Sequence, residues 1–244
     1  TLDSLGVGFG GMNWQSYKTS SGSFTPHGLE IGKLEMRRKN AERIVLSGLV
    51  SNEHFKNLSI KLHEFPLKEL TKFQFIDEDT KLLIKSLEGE ATEVSIGLNG
   101  SYQKPIISLK GQLDNLSYNG VGIGNLTMEL VHQDSSITGA IQIVNSKLSG
   151  SPKVLEIGVE QLPLNCALAT IDHRLSKTEP MIITGKANAL SMGVFAPFIP
   201  GITKLQGYAD AEITVEGIAP DIHYGGTAAL SRASFVVQST NIKY

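Results

Sequence analysis

The sequence predicts an all-β fold: an elongated antiparallel sheet with a few short helices. Three features support this prediction. Apolar residues recur in short runs that alternate with polar residues, as in strands with one covered face. The 25 glycines and 9 prolines break these runs along the whole chain of 244 residues. Aromatic residues make up only 7% of the chain, and this composition favours many short strands over a helix-packed core.

A repeated pattern predicts how the sheet is organised. Residues 205–244 alternate, break at a glycine and a proline, and alternate again, as in strand, turn, strand, turn, strand. Residues 87–118 follow the same order. Two such copies predict one elongated region of repeated units, with approximate bounds 1–65, 66–165 and 166–244. Because the chain starts and stops within strand-like pattern, we expect it to be a fragment of a longer protein.

The first sixty residues predict strands. Residues 6–11 match G-x-G-x-x-G by count, but no helical periodicity follows them, so a dinucleotide site is excluded and a twisted or bulged strand is expected. Further strands are predicted at residues 31–36, 43–50 and 57–63. The basic run 37–40 is interpreted as a solvated hairpin turn, and contact with anionic lipid is the alternative.

Helix signals are confined to short stretches, so less than about a fifth of the chain should be helical. A proline at a first-turn position predicts a helix over residues 66–73, and a similar motif predicts a second short helix over 163–168. The proline-rich junction 190–198 carries the third signal. Residues 77–79, an Asp-Glu-Asp run, lack the spacing of a calcium loop and are interpreted as a solvated loop.

The middle of the chain continues the strand pattern. Alternation predicts strands at residues 121–130, 137–144 and 154–159. Each unit then consists of several strands, a proline-led turn or helix, and several strands again.

Composition and motif spacing argue against catalysis, cofactors and nucleic acid. A net charge of −2 with no clustered basic face gives no basis for nucleic-acid binding. The six histidines have no zinc-binding spacing, and the single cysteine, Cys166, allows neither an intrachain disulfide nor a cysteine-based zinc site. Asp172 and His173 are adjacent, but no G-x-S-x-G motif provides a nucleophile. We therefore predict no enzyme activity, no catalytic residues, no metal and no cofactor.

The alternating pattern leaves open what covers the apolar face. A closed β-sandwich or solenoid would bury it against more protein. A long sheet that curls into an open trough would instead line a groove with aliphatic side chains, which suit flexible acyl chains. Pattern alone favours the closed form.

The carboxy-terminal repeat resembles a known family. Residues 209–217 fit A-x-x-x-I-x-V-x-G, and residues 235–244 fit F-V-V-x-x-x-x-I-x-Y. Residues 195–201 (FAPFIPG) and 65–70 (FPLKEL) precede the two repeats in a similar way. These features resemble the carboxy-terminal periplasmic repeats of TamB, the translocation and assembly module subunit, within the AsmA-like group. The resemblance is good over about residues 180–244, looser over 60–165 and faint before 50.

The resemblance implies a fold and a function. It implies an open trough, or β-taco, with a hydrophobic interior that carries phospholipid passively between the inner and outer membranes. Acyl chains would slide along the inner side chains while head groups stay wet at the open seam. The residues expected to line this lipid groove are Val94, Ile96, Leu98, Leu109, Leu126, Met128, Ile213 and Val215.

The resemblance also implies a location and partners. We expect a periplasmic protein of a Gram-negative envelope, anchored in the inner membrane outside this fragment, with an outer-membrane Omp85-type β-barrel as partner. Open sheet ends, at residues 1–11 and 235–244, predict self-association. Two alternatives are a scaffold or chaperone for outer-membrane protein assembly, whose sheet edges pair with client strands, and a closed β-solenoid adhesin with a dry interior.

Overall fold

The structure is an all-β sheet protein. The computed structural model describes residues 5–9, 12–17, 20–39, 41–72, 78–145, 153–168, 173–199, 201–239 and 242–243. Strands account for 75% of it and form one large antiparallel sheet that is not closed. The all-β prediction and the open, curled form that the resemblance implied are therefore confirmed.

Fifteen strands form the sheet. The first eight are β1 (Gly6–Phe9), β2 (Met12–Ser16), β3 (Ser21–Thr25), β4 (Gly28–Arg38), β5 (Glu42–Ser51), β6 (His54–Pro66), β7 (Leu87–Ser101) and β8 (Pro105–Tyr118). The others are β9 (Val121–Gln133), β10 (Ser136–Val144), β11 (Lys153–Leu162), β12 (Met181–Ser191), β13 (Ile202–Ile218), β14 (Asp221–Val237) and β15 (Ile242–Lys243). The helical segments are a 3₁₀ helix at Leu67–Lys72, the α-helix α1 at Glu78–Lys85 and a second 3₁₀ helix at Met192–Phe198.

The strand order follows the chain. From β4 to β15 each strand pairs antiparallel with the next one, and β3 pairs only with β4, outside the main order. We call the strand ends that carry the turns after β5, β7, β9 and β13 the hairpin end of the sheet. The opposite, helical end carries both 3₁₀ helices, which follow β6 and β12. The two sequence repeats are the hairpins β7–β8 and β13–β14, as predicted.

Most predicted elements are confirmed. Each of the six short strands predicted outside the repeats lies within an observed strand: 31–36 in β4, 43–50 in β5, 57–63 in β6, 121–130 in β9, 137–144 in β10 and 154–159 in β11. The helices predicted at 66–73 and 190–198 correspond to the two 3₁₀ helices, with Phe73 outside the described residues. The first predicted strand, at residues 6–11, is present as β1, and Gly10 and Gly11 also lie outside the described residues.

Two local predictions are wrong. Residues 163–168 are an irregular segment and not a helix, because their backbone groups pair with residues further along the chain: the N–H of Asn165 donates to the carbonyl of Arg174, and Leu164 bridges Leu175. The acidic run expected to form a loop instead begins α1. Acidic residues are favourable at a helix amino terminus, and Glu78 also pairs with Lys81 at 2.7 Å. Asp77 lies outside the described residues.

A buried apolar cluster lies at the helical end of the amino-terminal half. Its members are Met12, Trp14, Met36, Phe65, Leu67, Ala91 and Leu116. The Trp14 and Phe65 rings stack with centroids 6.2 Å apart, although β4 and β5 lie between their strands. Three strand spacings amount to about 14 Å in a flat sheet. The sheet is therefore concave on the face that carries these rings.

Candidate functional site: the inner face of the sheet

Side chains on the concave face, which we call the inner face, form rows that cross the strands. Pairing between consecutive strands aligns one row from β5 to β14: Ile44, Leu62, Val94, Gly111, Met128, Ile141, Ile157, Gly185, Ile213 and Gly226. A second row runs parallel to it, through Leu46, Ile60, Ile96, Leu109, Leu130, Gly139, Val159, Ile183, Val215 and Tyr224. The rows extend along the strand order, so any groove on this face runs across the strands.

All eight residues predicted to line a groove lie on the inner face. The first row contains Val94, Met128 and Ile213, and the second contains Ile96, Leu109 and Val215. Leu126 belongs to a third row with Leu113 and Ile143. Leu98 belongs to a fourth row, with Leu58 and Ile107. The alternation in the sequence therefore identified the correct side of each strand.

The opposite, outer face is polar. Between the two aliphatic rows, the residues that point outward include Ser95, Lys110, Glu129, Thr184 and Thr214. Cross-strand ion pairs join Lys110 to Glu129 at 2.5 Å and Lys186 to Glu212 at 2.7 Å. The hydrogen bond between Lys186 and Glu212 raises the pKa of the lysine and lowers that of the glutamate. The sheet thus has one aliphatic face and one hydrated, charged face.

The inner face divides into a packed section and an open section. In the packed section, Val94 and Leu126 lie against the buried cluster around Trp14 and Phe65. In the open section, on β11 to β14, Ile213 is 48% exposed and Tyr224 is 76% exposed. A cavity of about 220 Å³ in the open section is lined by the aliphatic side chains of Leu155, Ile157, Ile183, Ala187, Ala211, Ile213 and Val215. This cavity lies where the inner face lacks large buried side chains.

Five of those lining residues were missed by the sequence prediction: Leu155, Ile157, Ile183, Ala187 and Ala211. The signal for the first three was present, because alternation had already predicted strand 154–159 and the same pattern recurs in β12. The two alanines gave no such signal. Their importance comes from the space that a small side chain leaves next to larger neighbours, and that space depends on the pairing register.

The rims of the inner face are covered in two ways. At the helical end, Leu67 of the first 3₁₀ helix is buried, and Val194 of the second packs on a smaller cluster that includes Ile143 and Ala187. At the hairpin end, the irregular segment 163–168 crosses the inner face.

The His132 side chain and the backbone carbonyl of Tyr102 hold that segment. His132, buried in the row of Leu98, donates from Nδ1 to the carbonyl of Pro105 at 2.9 Å and accepts at Nε2 from the N–H of Cys166 at 3.3 Å. The N–H of Leu168 donates to the carbonyl of Tyr102 at 2.8 Å. Because Tyr102 lies in the β7–β8 turn, the segment spans from β11 back to β7. The part of the open section on β12 to β14 lies beyond it.

The basic run at residues 37–40 makes ion pairs within the protein. Arg37 bonds Glu35, and Arg38 and Lys39 both bond Glu42. Arg38 lies 3.6 Å from Glu69, whose other cationic partner is Lys72 at 2.6 Å. Since Arg38 is largely buried, the expected solvated turn is only partly correct: the hairpin turn is present, but its arginines are neutralised by carboxylates. Asn40 lies outside the described residues.

In the part of the chain that the structure describes, the titratable side chains form no metal-binding cluster. Within it, no three His, Cys, Asp or Glu side chains are placed to hold a metal ion. Burial raises the pKa of the Cys166 thiol, with Arg174 acting weakly in the other direction. Asp172, considered beside His173, lies outside the described residues. None of the helices described here is long and apolar enough to cross a membrane.

Comparison with known proteins found no matching family model, no matching curated protein and no matching solved structure. The functional argument therefore depends on the geometry of the inner face and on the hairpin pattern in the sequence.

Proposed function

We propose that this chain is part of a periplasmic lipid conduit of the TamB type, in which phospholipid acyl chains bind along the inner face. One observation carries the proposal. Aliphatic rows cross ten consecutive strands, β5 to β14, and among the described residues no second sheet or long helix covers them in the open section. A soluble domain normally buries such a face against another layer. Acyl chains are a natural substitute for that layer.

The energetics favour an acyl chain as the occupant. Each methylene removed from water contributes about 0.8 kcal/mol. Binding of an acyl chain therefore removes apolar surface of both the chain and the inner face from water, which is favourable. The inward-pointing part of the lining is aliphatic, whereas Thr184 and Lys186, which also border the cavity, point to the outer face. Adjacent strands present similar side chains, so a bound acyl chain meets near-equivalent positions along the face. It can slide between them, because no single deep site holds it. Passive conduction follows from that uniformity.

The hairpin pattern supports the family assignment within this proposal. Both repeats that resemble TamB are β-hairpins, and a 3₁₀ helix lies between each of them and the preceding strand, with α1 following that helix before β7. The family would place the chain in a Gram-negative periplasm, with an inner-membrane anchor and an Omp85-type β-barrel partner at the outer membrane. Those features belong to the proposal and are supported only by the resemblance.

Mass spectrometry of organic extracts from the purified protein tests the proposal. We expect copurified phospholipid with the parent chain. Ile213→Asp places a charge on the inner face of the open section and should abolish lipid copurification. Thr214→Asp, one residue along and on the outer face, is the matched control and should retain lipid. A parent protein that purifies without lipid, or equal lipid loss in both variants, would contradict the proposal.

A scaffold for outer-membrane protein assembly is the second candidate, and the free edge of β14 favours it. Among the described residues, β15 pairs with Val236 and Val237, so the edge from Asp221 to Ser234 has no partner strand there. An open edge of this length can add a client strand by main-chain pairing. Binding of an unfolded β-barrel client to this edge of the lipid-free protein would favour the scaffold. The closed adhesin is not proposed, because the sheet is not closed.

A further inference from the structure

A polar cavity lies on the outer face, over β4, β5 and β6, away from the inner face. Its volume is about 370 Å³. Most of the side chains around it carry a positive charge, an imidazole or a hydroxyl: Lys33, Arg43, Lys61, His63, Ser47 and Ser59. Glu35 is the one carboxylate that lines it. The cavity therefore combines excess positive charge with hydrogen-bond donors.

The negative charge of Glu35 is already compensated. Arg37 donates two hydrogen bonds to its Oε1, at 3.0 and 2.8 Å, and the Lys33 ammonium lies 3.5 Å from Oε2. The Arg37 hydrogen bonds, with the Lys33 charge, hold the pKa of Glu35 below its ordinary value although burial acts to raise it. Glu35 therefore remains ionised with its own two cations. Because Glu35 pairs with Arg37 and Lys33, it does not act as the counter-ion of Arg43 or Lys61.

Arg43 lacks the partners that a guanidinium normally has. Its Nε is buried and has no hydrogen-bond acceptor among the described residues, and no ion pair to Arg43 occurs there. Its cross-strand neighbours are Arg37 on one side and His63 on the other. Like charges directly opposite each other destabilise a sheet, and a buried donor without an acceptor is unfavourable. A bound anion would relieve both penalties.

The surroundings of His63 disfavour its protonated form. Burial lowers its pKa most, and the Arg43 charge lowers it further, while the carboxylate of Glu93 on the next strand acts in the opposite direction. Lys61 adds to the lowering, and Glu35 partly offsets it. An anion near the imidazole would favour its protonated form.

We propose that this cavity binds a phosphate group. Arg43 and Lys61 supply the charge, and the hydroxyls of Ser47 and Ser59, directly opposite each other on β5 and β6, supply hydrogen bonds. The planar guanidinium suits bidentate contact with phosphate oxygens. The phosphate comes either from a lipid head group or from a free phosphate compound, since both present the same oxyanion. The inference does not depend on the lipid groove, which lies on the other face.

Titration of the histidine ring signals by NMR, with inorganic phosphate as the probe, tests this site on the intact chain. His63→Asn assigns the His63 resonance. Phosphate should raise the His63 pKa in a saturable way, whereas chloride at the same ionic strength should not. No saturable response of His63 at the highest phosphate concentration would overturn the proposal.

Variants locate the effect. Lys61→Gln should weaken phosphate binding by about tenfold or more, because a charge-assisted hydrogen bond is lost. Lys110→Gln is the matched control: Lys110 lies in the same cross-strand row two strands away, is an outer-face lysine with its side chain 63% exposed, and is not in the cavity. Equal losses of phosphate affinity in Lys61→Gln and Lys110→Gln would contradict a specific binding site in the cavity. Arg43→Gln should remove the phosphate response and raise the His63 pKa of the free protein. An unchanged free energy of unfolding in urea shows that this variant is still folded.

Two probes distinguish the sources of the phosphate. Glycerophosphoglycerol, the deacylated head group of phosphatidylglycerol, carries a phosphodiester, whereas inorganic phosphate is largely a dianion at neutral pH. Tighter binding of glycerophosphoglycerol identifies a lipid head group, and tighter binding of inorganic phosphate identifies a free phosphate compound. Either order supports the site. Failure of both probes to shift His63 refutes it and leaves the lipid proposal untouched, because that proposal is tested by lipid copurification and Ile213.

Discussion

The packed and open sections of the inner face are built from the same alternating pattern but differ in what covers them. In the packed section, Trp14 and Phe65 stack over the concave surface, and Phe65 is only 1% exposed. In the open section, the corresponding positions hold Ala187, Ala211 and Ala228, which continue the row of Phe65 across β12, β13 and β14. Large aromatics close one section. In the other, Ala187 lies in a smaller cluster with Val194 of the second 3₁₀ helix, while Ile213 and Tyr224 stay exposed.

The alternating pattern therefore determines which face of the sheet a residue lies on, but it does not determine whether that residue is buried. A residue such as Val94 and a residue such as Ile213 occupy the same row, yet one packs on a buried cluster and the other is about half exposed. Substitutions in the two sections should therefore separate stability from lipid binding. The packed section supplies stability, and the open section supplies the proposed function.

Phe65→Ala should have the largest effect on stability. It removes a buried aromatic ring and its stacking with Trp14, which on comparable substitutions costs about 3–5 kcal/mol. The free energy of unfolding from urea denaturation measures the loss. Tyr224→Ala, at a position 76% exposed in the open section, is the control and should change stability by less than about 1 kcal/mol. Similar losses in both variants would remove the distinction between the sections.

A charge placed in the same row should have a smaller but still unequal effect. Val94→Asp puts a carboxylate against the buried cluster and should destabilise by about 3 kcal/mol. Ile213→Asp keeps part of its hydration and should cost about 1 kcal/mol or less. Thermal unfolding of both variants measures the difference. If Ile213→Asp unfolds as readily as Val94→Asp, the section around Ile213 is a closed core.

Acid should weaken the packed section through Glu69. The Lys72 hydrogen bond, together with the Arg38 charge, lowers the pKa of Glu69 although burial acts to raise it. A lowered folded pKa gives stability that is present above the unfolded value of about 4.3 and is lost as pH falls through the folded value. Unfolding free energies should thus fall below about pH 4.3, and Glu69→Gln should flatten that decline.

Glu90 acts in the opposite direction, because burial, with the nearby charges of Glu64 and Asp114, raises its pKa. Its contribution favours the fold at low pH and is lost as pH rises through the folded value. Glu90→Gln should therefore make the acid decline steeper. An acid limb that does not change in Glu69→Gln would show that the ion pairs of Glu69 with Lys72 and Arg38 contribute nothing to stability.

The free edge of β14 should produce the smallest effect on stability and a clear effect on association. Thr227→Lys adds a charge to an exposed, outer-face position of this edge and should change the unfolding free energy by less than about 0.5 kcal/mol. Edge lysines block strand addition. Light scattering should show self-association of the parent chain and less of it in the variant. A parent chain that stays monomeric at high concentration would contradict an accessible edge.

The sequence was informative about strands because alternation depends on local residue spacing alone. The parity that assigned Ile96, Leu109 and Val215 to one face follows directly from the period of a strand. The helix predicted at 163–168 failed because its backbone partners, Arg174 and Leu175, lie further along the chain. No local pattern reveals such a pairing.

The division into packed and open sections could not be predicted for a similar reason. It depends on Trp14 reaching Phe65 across two intervening strands, which requires the curvature of the whole sheet. The polar cavity on the outer face, which we propose to bind phosphate, also could not be predicted, since Arg43, Lys61 and His63 are dispersed in the sequence among strand residues. Only the registers of β5 and β6 bring them together.

Photo-crosslinking along β7 and β13 tests whether phospholipid binds the open section of the inner face. Benzoylphenylalanine would replace Ile213 on the open inner face, Thr214 on the outer face, or Val94 in the packed section, and mass spectrometry would identify the products after illumination in cells. We expect phospholipid adducts at Ile213, none at Thr214, and far fewer at Val94. Adducts at Ile213 and Thr214 in equal yield, or no lipid adduct at Ile213, would contradict a lipid-binding inner face.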